Sequence, residues 1–338
     1  MVLHHKQQAE NMHKLQSKLT KSRNKGVAVL GVLAIVGVTG MLAYQLVSLQ
    51  SVSIAHVKLT KNYDQLLAYA SGLEELFSAR LLQDWFEADD RPFDNYEEDW
   101  ASSKIEFEIS DLEESEFNIR VFDLQSQFNA NGLNDPDSLI AGSAFNNLCS
   151  EIRLPYDTAP KIQDWIDDDE SIQPSGGEDF EYSRYNPPFR TPNQLVADIS
   201  EFDYFLNLND EELQFLSDHV VLLPTNQLIV NINTVSEPVL EALLESVDVQ
   251  EDVRSIVNDD RDYTDVEEII ADYPYMEALR PNLAISSNFF RLEATVYIPN
   301  LGRIDFTSEF FRHPDDGEVT VYKRDFGKRH VWEEEFEY

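Results

Sequence analysis

No charged side chain occurs between Gly26 and His56, and that uncharged run constrains this chain more than any other feature. It is rich in Val, Leu, Gly and Ala, and it exceeds the about 20 apolar residues that a helix needs to cross a bilayer core. Lys14, Lys18, Lys21, Arg23 and Lys25 precede it, so the positive-inside rule puts the N-terminus in the cytoplasm and the remainder across the membrane. A cleaved secretory signal would show a small-residue cleavage site after the apolar run. Here the run continues without a break into an amphipathic segment, and the best processing point lies before it, at Gly26. Taken alone, the stretch also fits an ordinary single-pass anchor.

Past the run, Tyr63, Leu66, Leu67, Ala70, Leu73, Phe77 and Leu81 recur at three- and four-residue steps. Lys58, Lys61, Asp64, Glu75 and Arg80 mostly fall off that stripe, as in an amphipathic helix. No proline interrupts from Val27 to Asp90. At about 1.5 Å per residue this is one helix of roughly 90 Å. Its first half sits in lipid and its second half must pack on a sheet or on other helices. Arg91-Pro92-Phe93-Asp94-Asn95 ends it.

Two alternating stretches follow, with Ile105, Phe107 and Ile109 on one side of the first and Phe117, Ile119 and Val121 on one side of the second. Period-two patterning of this kind predicts antiparallel strands with one buried face. From Phe128 to about Ile285 the pattern turns helical, with Pro- and Asp-rich joints, as in Asp210 to Val221 and Glu237 to Leu244. Strands resume at Leu292 to Ile298, Arg303 to Phe311 and Glu318 to Lys323, and an acidic tail follows from Asp325. Strands, helices, then strands again predict an α+β chain in which a helical domain is inserted into a helix-plus-sheet domain.

The charge balance narrows the partners. Residues 1 to 26 hold six Lys/Arg and one Glu, which leaves 20 basic against 62 acidic side chains afterwards, a net of −42. Such a body repels nucleic acid and anionic lipid and attracts divalent cations or basic partners. High charge also serves solubility alone. Cys149 is the only cysteine, so no intrachain disulfide can form.

The densest polar segment runs from Asp164 to Asp179. With Asp167 as position 1, Asp169 stands at 3, Ser171 at 5, the Gln173 carbonyl at 7, Ser175 at 9 and Glu178 at 12, the ligand offsets of an EF-hand. Position 6 is Ile172 where an EF-hand has Gly, so the match lies in ligand spacing and not in loop geometry. Calcium is the expected ion, with Asp167, Asp169, Glu178 and Asp179 as candidate ligands. A solvated acidic loop is the alternative. A second segment, Val230 to Leu240 followed by Arg261, has the outline of a helix-hairpin-helix start. Its link, Glu245 to Asp252, carries four acids and no Gly, which opposes phosphate binding and favours a packing role. The histidines are scattered, and no nucleophile elbow or phosphate loop is present, so the sequence gives no support to catalysis.

Together these pieces resemble the type II secretion minor pseudopilin K family. A basic leader ending in Gly before an apolar helix is the layout of a type IV pilin-like prepilin. More specific are Asp123-Leu124-Gln125-Ser126-Gln127-Phe128-Asn129-Ala130-Asn131-Gly132-Leu133, Asp164-Trp165-Ile166-Asp167, and Gly176-Gly177-Glu178-Asp179. Tyr182, Pro187-Pro188-Phe189-Arg190, Pro192-Asn193 and Asn231-Ile232-Asn233-Thr234 extend the match. Ser126 stands where the family usually has Gly, and the leader is longer than most.

The resemblance implies a pilin-like long helix on an antiparallel sheet, with an inserted helical domain of helix-hairpin-helix or SAM-like kind. The expected organisation is a prepilin leader at 1–26, a long helix and first strands at 27–125 (transmembrane about 27–47), an inserted domain at 126–285, and final strands with the tail at 286–338. It further implies cleavage by a prepilin peptidase between Gly26 and Val27, bound calcium, and contact with the inner-membrane assembly platform. The chain would span the inner membrane once, with its bulk in the periplasm. There it would form the pseudopilus tip with pseudopilins I and J through the stripe Tyr63, Leu66, Leu67, Ala70, Leu73, Phe77 and Leu81. In pilin-like filaments a Glu at the fifth mature position neutralises a neighbour's N-terminal amine. Here that position is Gly31, which suits a terminal subunit. The role is structural, not enzymatic. A membrane-anchored helix-hairpin-helix DNA-binding or DNA-uptake protein is the competing reading.

Overall fold

Helix α1 runs from Val2 to Glu87 in a computed structural model that describes residues 2–87, 92–102, 115–258 and 261–327. It starts earlier than the expected mature N-terminus because residues 2–25 contain Lys, Gln, Leu and Met with neither Pro nor Gly, and helical propensity carries through them. The chain divides into two compact units, the first ending at Gln65 and the second beginning at Leu66. In the first unit the apolar side chains of α1 are exposed, Leu33 by 61% and Ile35 by 64%. Among the described residues, α1 is the one helix long and apolar enough to cross a membrane.

In the second unit, strand β1 (Glu116–Asp123) pairs antiparallel with β6 (Phe289–Ile298), β6 with β7 (Gly302–Arg312), and β7 with β8 (Val319–Asp325). The alternation seen in the sequence decides which face is buried. Ile119, Phe290, Leu292, Ala294, Val296, Ile304, Phe306 and Phe310 point to a core closed by Leu66, Ala70, Leu73, Phe77 and Leu81 of α1 and by Trp100. Phe77 meets Phe310 edge-on, ring centroids 4.9 Å apart. On the other face, Arg291 lies opposite Glu309 and Arg120 opposite Glu293, each pair bridged across the strands. The β6–β7 turn needs Gly302, whose φ is +125°. The expected first alternating stretch, Ile105 to Ile109, and the end of the acidic tail lie outside the described residues.

Between β1 and β6 the chain builds a separate core. It contains α2 (Ala141–Glu151), α3 (Thr158–Ile166), α4 (Asp179–Tyr182), α5 (Asp210–His219), α6 (Glu237–Glu245), α7 (Arg254–Val257) and α8 (Val266–Asp272). Phe145 and Leu148 of α2 share that core with Leu240 and Leu243 of α6. Two short parallel ribbons stitch it: β2 (Phe128–Asn129) with β3 (Val220–Val221), and β4 (Val230–Asn231) with β5 (Leu283–Ala284). The expected helix Asp210 to Val221 is therefore too long by two residues, because Val220 and Val221 pair with β2. Its start is fixed by a capping box between Asn209 and Glu212.

The two cores meet at a buried polar junction. Arg312, fully buried, donates to both carboxylate oxygens of Asp94 (2.7 and 2.5 Å) and to Asp84 on α1 (2.9 Å). The Ser287 amide donates to Asp94 at 2.6 Å, and the Ser287 hydroxyl donates to Asp123 at 2.6 Å. Asp123 also accepts from Asn231 (3.0 Å) and Thr234 (2.5 Å), while Asn231 donates to the Asp94 carbonyl (2.9 Å). Burial raises the carboxyls of Asp94, Asp84 (to about 6), Asp123 (to about 6) and Glu98 (to about 7). The charge of Asp84 adds to the rise at Glu98, while a hydrogen bond with Glu98 opposes the rise at Asp84.

Removing Arg312 leaves buried carboxylates uncompensated, so Arg312→Met should cost about 3–5 kcal/mol at pH 7 in denaturant titrations. The loss should shrink at pH 5, where the carboxyls can take up protons. These acids have folded pKa values raised above their unfolded ones. Their contribution is fully present below pH about 4 and is lost as pH rises through about 6 to 7. Glu98→Gln, which mimics the protonated form, should flatten stability between pH 5 and pH 8.

Candidate metal centre

The acidic segment leaves α3 at its C-terminal end, where Asp164 is fully buried in the last turn. Asp164 acts as an organiser of the loop. Both its oxygens accept from the Gln173 amide at 3.1 Å, and it also accepts from the Gly177 amide. A Cβ on Gly176 would stand 2.0 Å from an Asp164 oxygen, so only Gly lets the loop come this close. A Cβ on Gly177 would stand 2.9 Å from the Tyr182 hydroxyl.

That fold brings ligand-capable oxygens of Asp167, Asp169 and Glu178 within 4.8 Å of one another. These are offsets 1, 3 and 12 of the sequence pattern. The Gln173 carbonyl, offset 7, accepts from the Gly176 amide. Asp179 is not part of the convergence. It accepts from the Thr191 amide at 3.1 Å and lies 3.7 Å from Arg190, contacts that account for its charge. Asn193, which spacing could not reveal, joins instead. Its amide nitrogen donates to the Asp169 carbonyl at 3.4 Å, and Thr191 donates to Glu178 at 3.2 Å.

Among the described residues, three buried acceptor oxygens here have no donor, Asp167 Oδ1, Glu178 Oε1 and Asn193 Oδ1, and the Tyr182 hydroxyl is also without a partner. A buried acceptor without a partner costs about 1–3 kcal/mol, and a hard cation with oxygen ligands removes that cost for several at once. Burial, reinforced by the neighbouring carboxylates, raises Asp167 to about 6 and Glu178 to about 7. The donor set therefore fits a hard divalent cation.

The other predicted residues fall as follows. Gly26 and Val27 lie within α1, with Val27 exposed. The predicted partner stripe needs correction. Leu66, Ala70, Leu73, Phe77 and Leu81 are buried under the chain's own sheet, so they are unavailable to a partner. Leu67 is half-buried and Tyr63 is half-exposed. The open face of the same turns carries Ala68, Gly72, Glu75, Ala79 and Phe86. At the helix-hairpin-helix outline, Arg261 donates to the carbonyls of Ile232 (3.1 Å) and Val235 (2.7 Å), which commits it to packing. The hairpin is lined by Glu241, Glu245, Glu251 and Asp252, which repel a phosphate backbone.

A family profile described as type II secretion system (T2SS), protein K matches residues 117–225. The type II secretion system protein K of Aeromonas hydrophila is 30% identical over 66% of this chain and 70% of its own length. The Klebsiella pneumoniae protein of the same description is 28% identical over 66% of this chain and 69% of its own length. A chain from the crystal structure of the GspK-GspI-GspJ complex of enterotoxigenic Escherichia coli superposes with a TM-score of 0.68. It has 24% identity and covers 80% of this chain and 98% of that one, a likeness of fold. The long apolar helix, the four-stranded antiparallel sheet and the helices between β1 and β6 agree with these matches, and the chain belongs to the type II secretion system protein K family.

Proposed function

We propose that this chain is the minor pseudopilin at the tip of a type II secretion pseudopilus, assembled there with pseudopilins I and J in support of protein export. The observation that carries this reading is the superposition on almost the whole of a chain solved in a GspK-GspI-GspJ complex. The apolar part of α1 is the single inner-membrane span, and everything after it is periplasmic. Residues 1–26 are a leader, 27–125 and 286–338 form a pilin-like domain, and 126–285 form its helical insert, with α6, its acidic hairpin and α7 as a helix-hairpin-helix or SAM-like packing unit. The polar junction supports the limits of the insert, since β1 ends at Asp123 and the chain returns at Ser287.

Prepilin peptidase cuts between Gly26 and Val27, where Gly26 offers no Cβ to obstruct an extended backbone. Fifth from that cut, Gly31 supplies no carboxylate for a following subunit's amine, which suits a subunit that has none to serve. Intact-mass measurement of the membrane form should give a chain beginning at methylated Val27. A start near Ser48, as a signal peptidase would leave it, overturns the reading.

The acidic centre holds calcium through Asp167, Asp169 and Glu178, with the Asn193 carbonyl beside them. Calcium should raise Tm of the purified chain and a chelator should lower it, since a ligand of the folded state alone stabilises by mass action. Glu178→Gln should abolish most of that shift and Asp179→Asn little of it. A Tm indifferent to calcium in the wild-type chain would remove the metal.

Pseudopilins I and J dock on the open face of α1, not on its buried stripe. Gly72→Glu should release both from the chain in co-purification without lowering its Tm, because nothing lies within 4 Å of the position where a Cβ would stand. Retention of both partners by this variant and by Ala79→Glu would refute the assignment.

A further inference from the structure

A row of aromatic rings runs outward from the core beside the metal centre. Trp165 stacks on Phe205, centroids 4.4 Å apart, and meets Tyr182 edge-on at 5.7 Å. Tyr182 stacks on Phe189 at 5.0 Å, and Phe189 in turn contacts Tyr185 at 5.3 Å and Tyr204 at 6.3 Å. The inner rings are buried, whereas Tyr185 is 46% and Tyr204 68% exposed, with Pro187 and Pro188 exposed between them in sequence. The outer rings thus rest on a packed base, and aromatic side chains held in this way are effective anchors at low entropic cost.

Charge states what such a surface accepts. Residues 164–204 contain eleven Asp and Glu against two basic residues, Arg184 and Arg190. Both arginines are answered locally, Arg184 by Glu181 at 3.4 Å and by the Phe180 ring, and Arg190 by Asp179. A bound divalent ion leaves the surface strongly negative. The exposed carboxylate of Asp203 adjoins Tyr204 in sequence, beside ring faces that favour cations. Nucleic acid, anionic lipid and a second copy of this acidic chain are all repelled.

We propose that the Tyr185–Phe189–Tyr204 surface docks an extended, Lys/Arg-bearing segment of another protein, with cationic side chains over the rings and beside Asp203. The surface stands on ring packing and local charge, so it does not depend on the tip assignment or on the metal.

The test uses the full chain in detergent and a fluorescein-labelled peptide of alternating Gly and Lys/Arg, read by anisotropy. Tyr185→Ser with Tyr204→Ser should weaken binding about five- to tenfold without lowering Tm, since two exposed cation–π contacts are lost. Tyr204→Phe should retain the affinity because the ring face remains. Asp203→Asn should weaken it and reduce its salt dependence. Equal binding by the wild type and the double Ser variant would mean attraction by net charge alone and would overturn the proposal. So would preference for a Gly and Glu peptide or for anionic vesicles.

Discussion

The buried pairing of Arg312 with Asp94 is the interaction on which the rest of this structure depends. Arg312 closes β7, Asp94 follows the long helix, and Asp84 reaches in from the helix itself. Through Ser287, the same group extends to Asp123 at the end of β1 and to Asn231 and Thr234 in the helical part. The chain leaves the sheet at Asp123 and returns at Ser287, an excursion with its own core. Two ends so far apart in sequence need something other than apolar contact to fix their register. Apolar packing is non-directional, whereas a buried hydrogen-bonded charge tolerates few geometries because any misfit strands it.

The same logic explains why the motifs in this chain are polar although they do no chemistry. Asn129 donates to the Thr225 and Gln227 carbonyls and accepts from the Leu223 amide. Asn131 does the same for Val196 and Leu223, and Asn233 for Tyr263. Each is a buried amide that satisfies backbone groups of an irregular segment, which regular helices and strands would satisfy internally. A helical part with short helices and long joints needs many such side chains.

Periodicity made the elements legible. The three- and four-residue stripe gave the packed half of α1, and the strand pattern gave β1, β6, β7 and β8 to within three residues at either end. Periodicity could not say what covers a stripe: Leu66 to Leu81 look identical whether a partner or the chain's own sheet buries them. Alternation also overlooks pairs as short as Val220-Val221, where a ribbon of two residues overrides helical propensity. At the candidate metal centre, offsets 1, 3 and 12 were visible because they lie in one loop. Asn193 was not, because it comes from beyond the loop, and neither was Asp179's commitment to Thr191 and Arg190. The roles of Asp164 and Gly176 were hidden for a different reason. They hold the loop's shape and present no ligand of their own.

A chain this acidic must answer its own carboxylates, and it does so differently in each place. At the junction a single guanidinium faces Asp84 and Asp94, and burial raises the carboxyls of Asp84 and Glu98 toward the neutral form. At the loop, among the described residues, no ion pair joins a basic group to Asp167 or Glu178, and the donorless oxygens fit a hard cation. On the sheet's outer face Arg291 and Arg120 answer Glu309 and Glu293 one to one across the strands. Around the aromatic row the arginines are already engaged by their neighbours, and the exposed carboxylates there face water. There Asp203 is exposed next in sequence to the exposed ring of Tyr204, and the acidic character of the segment favours a cationic complement.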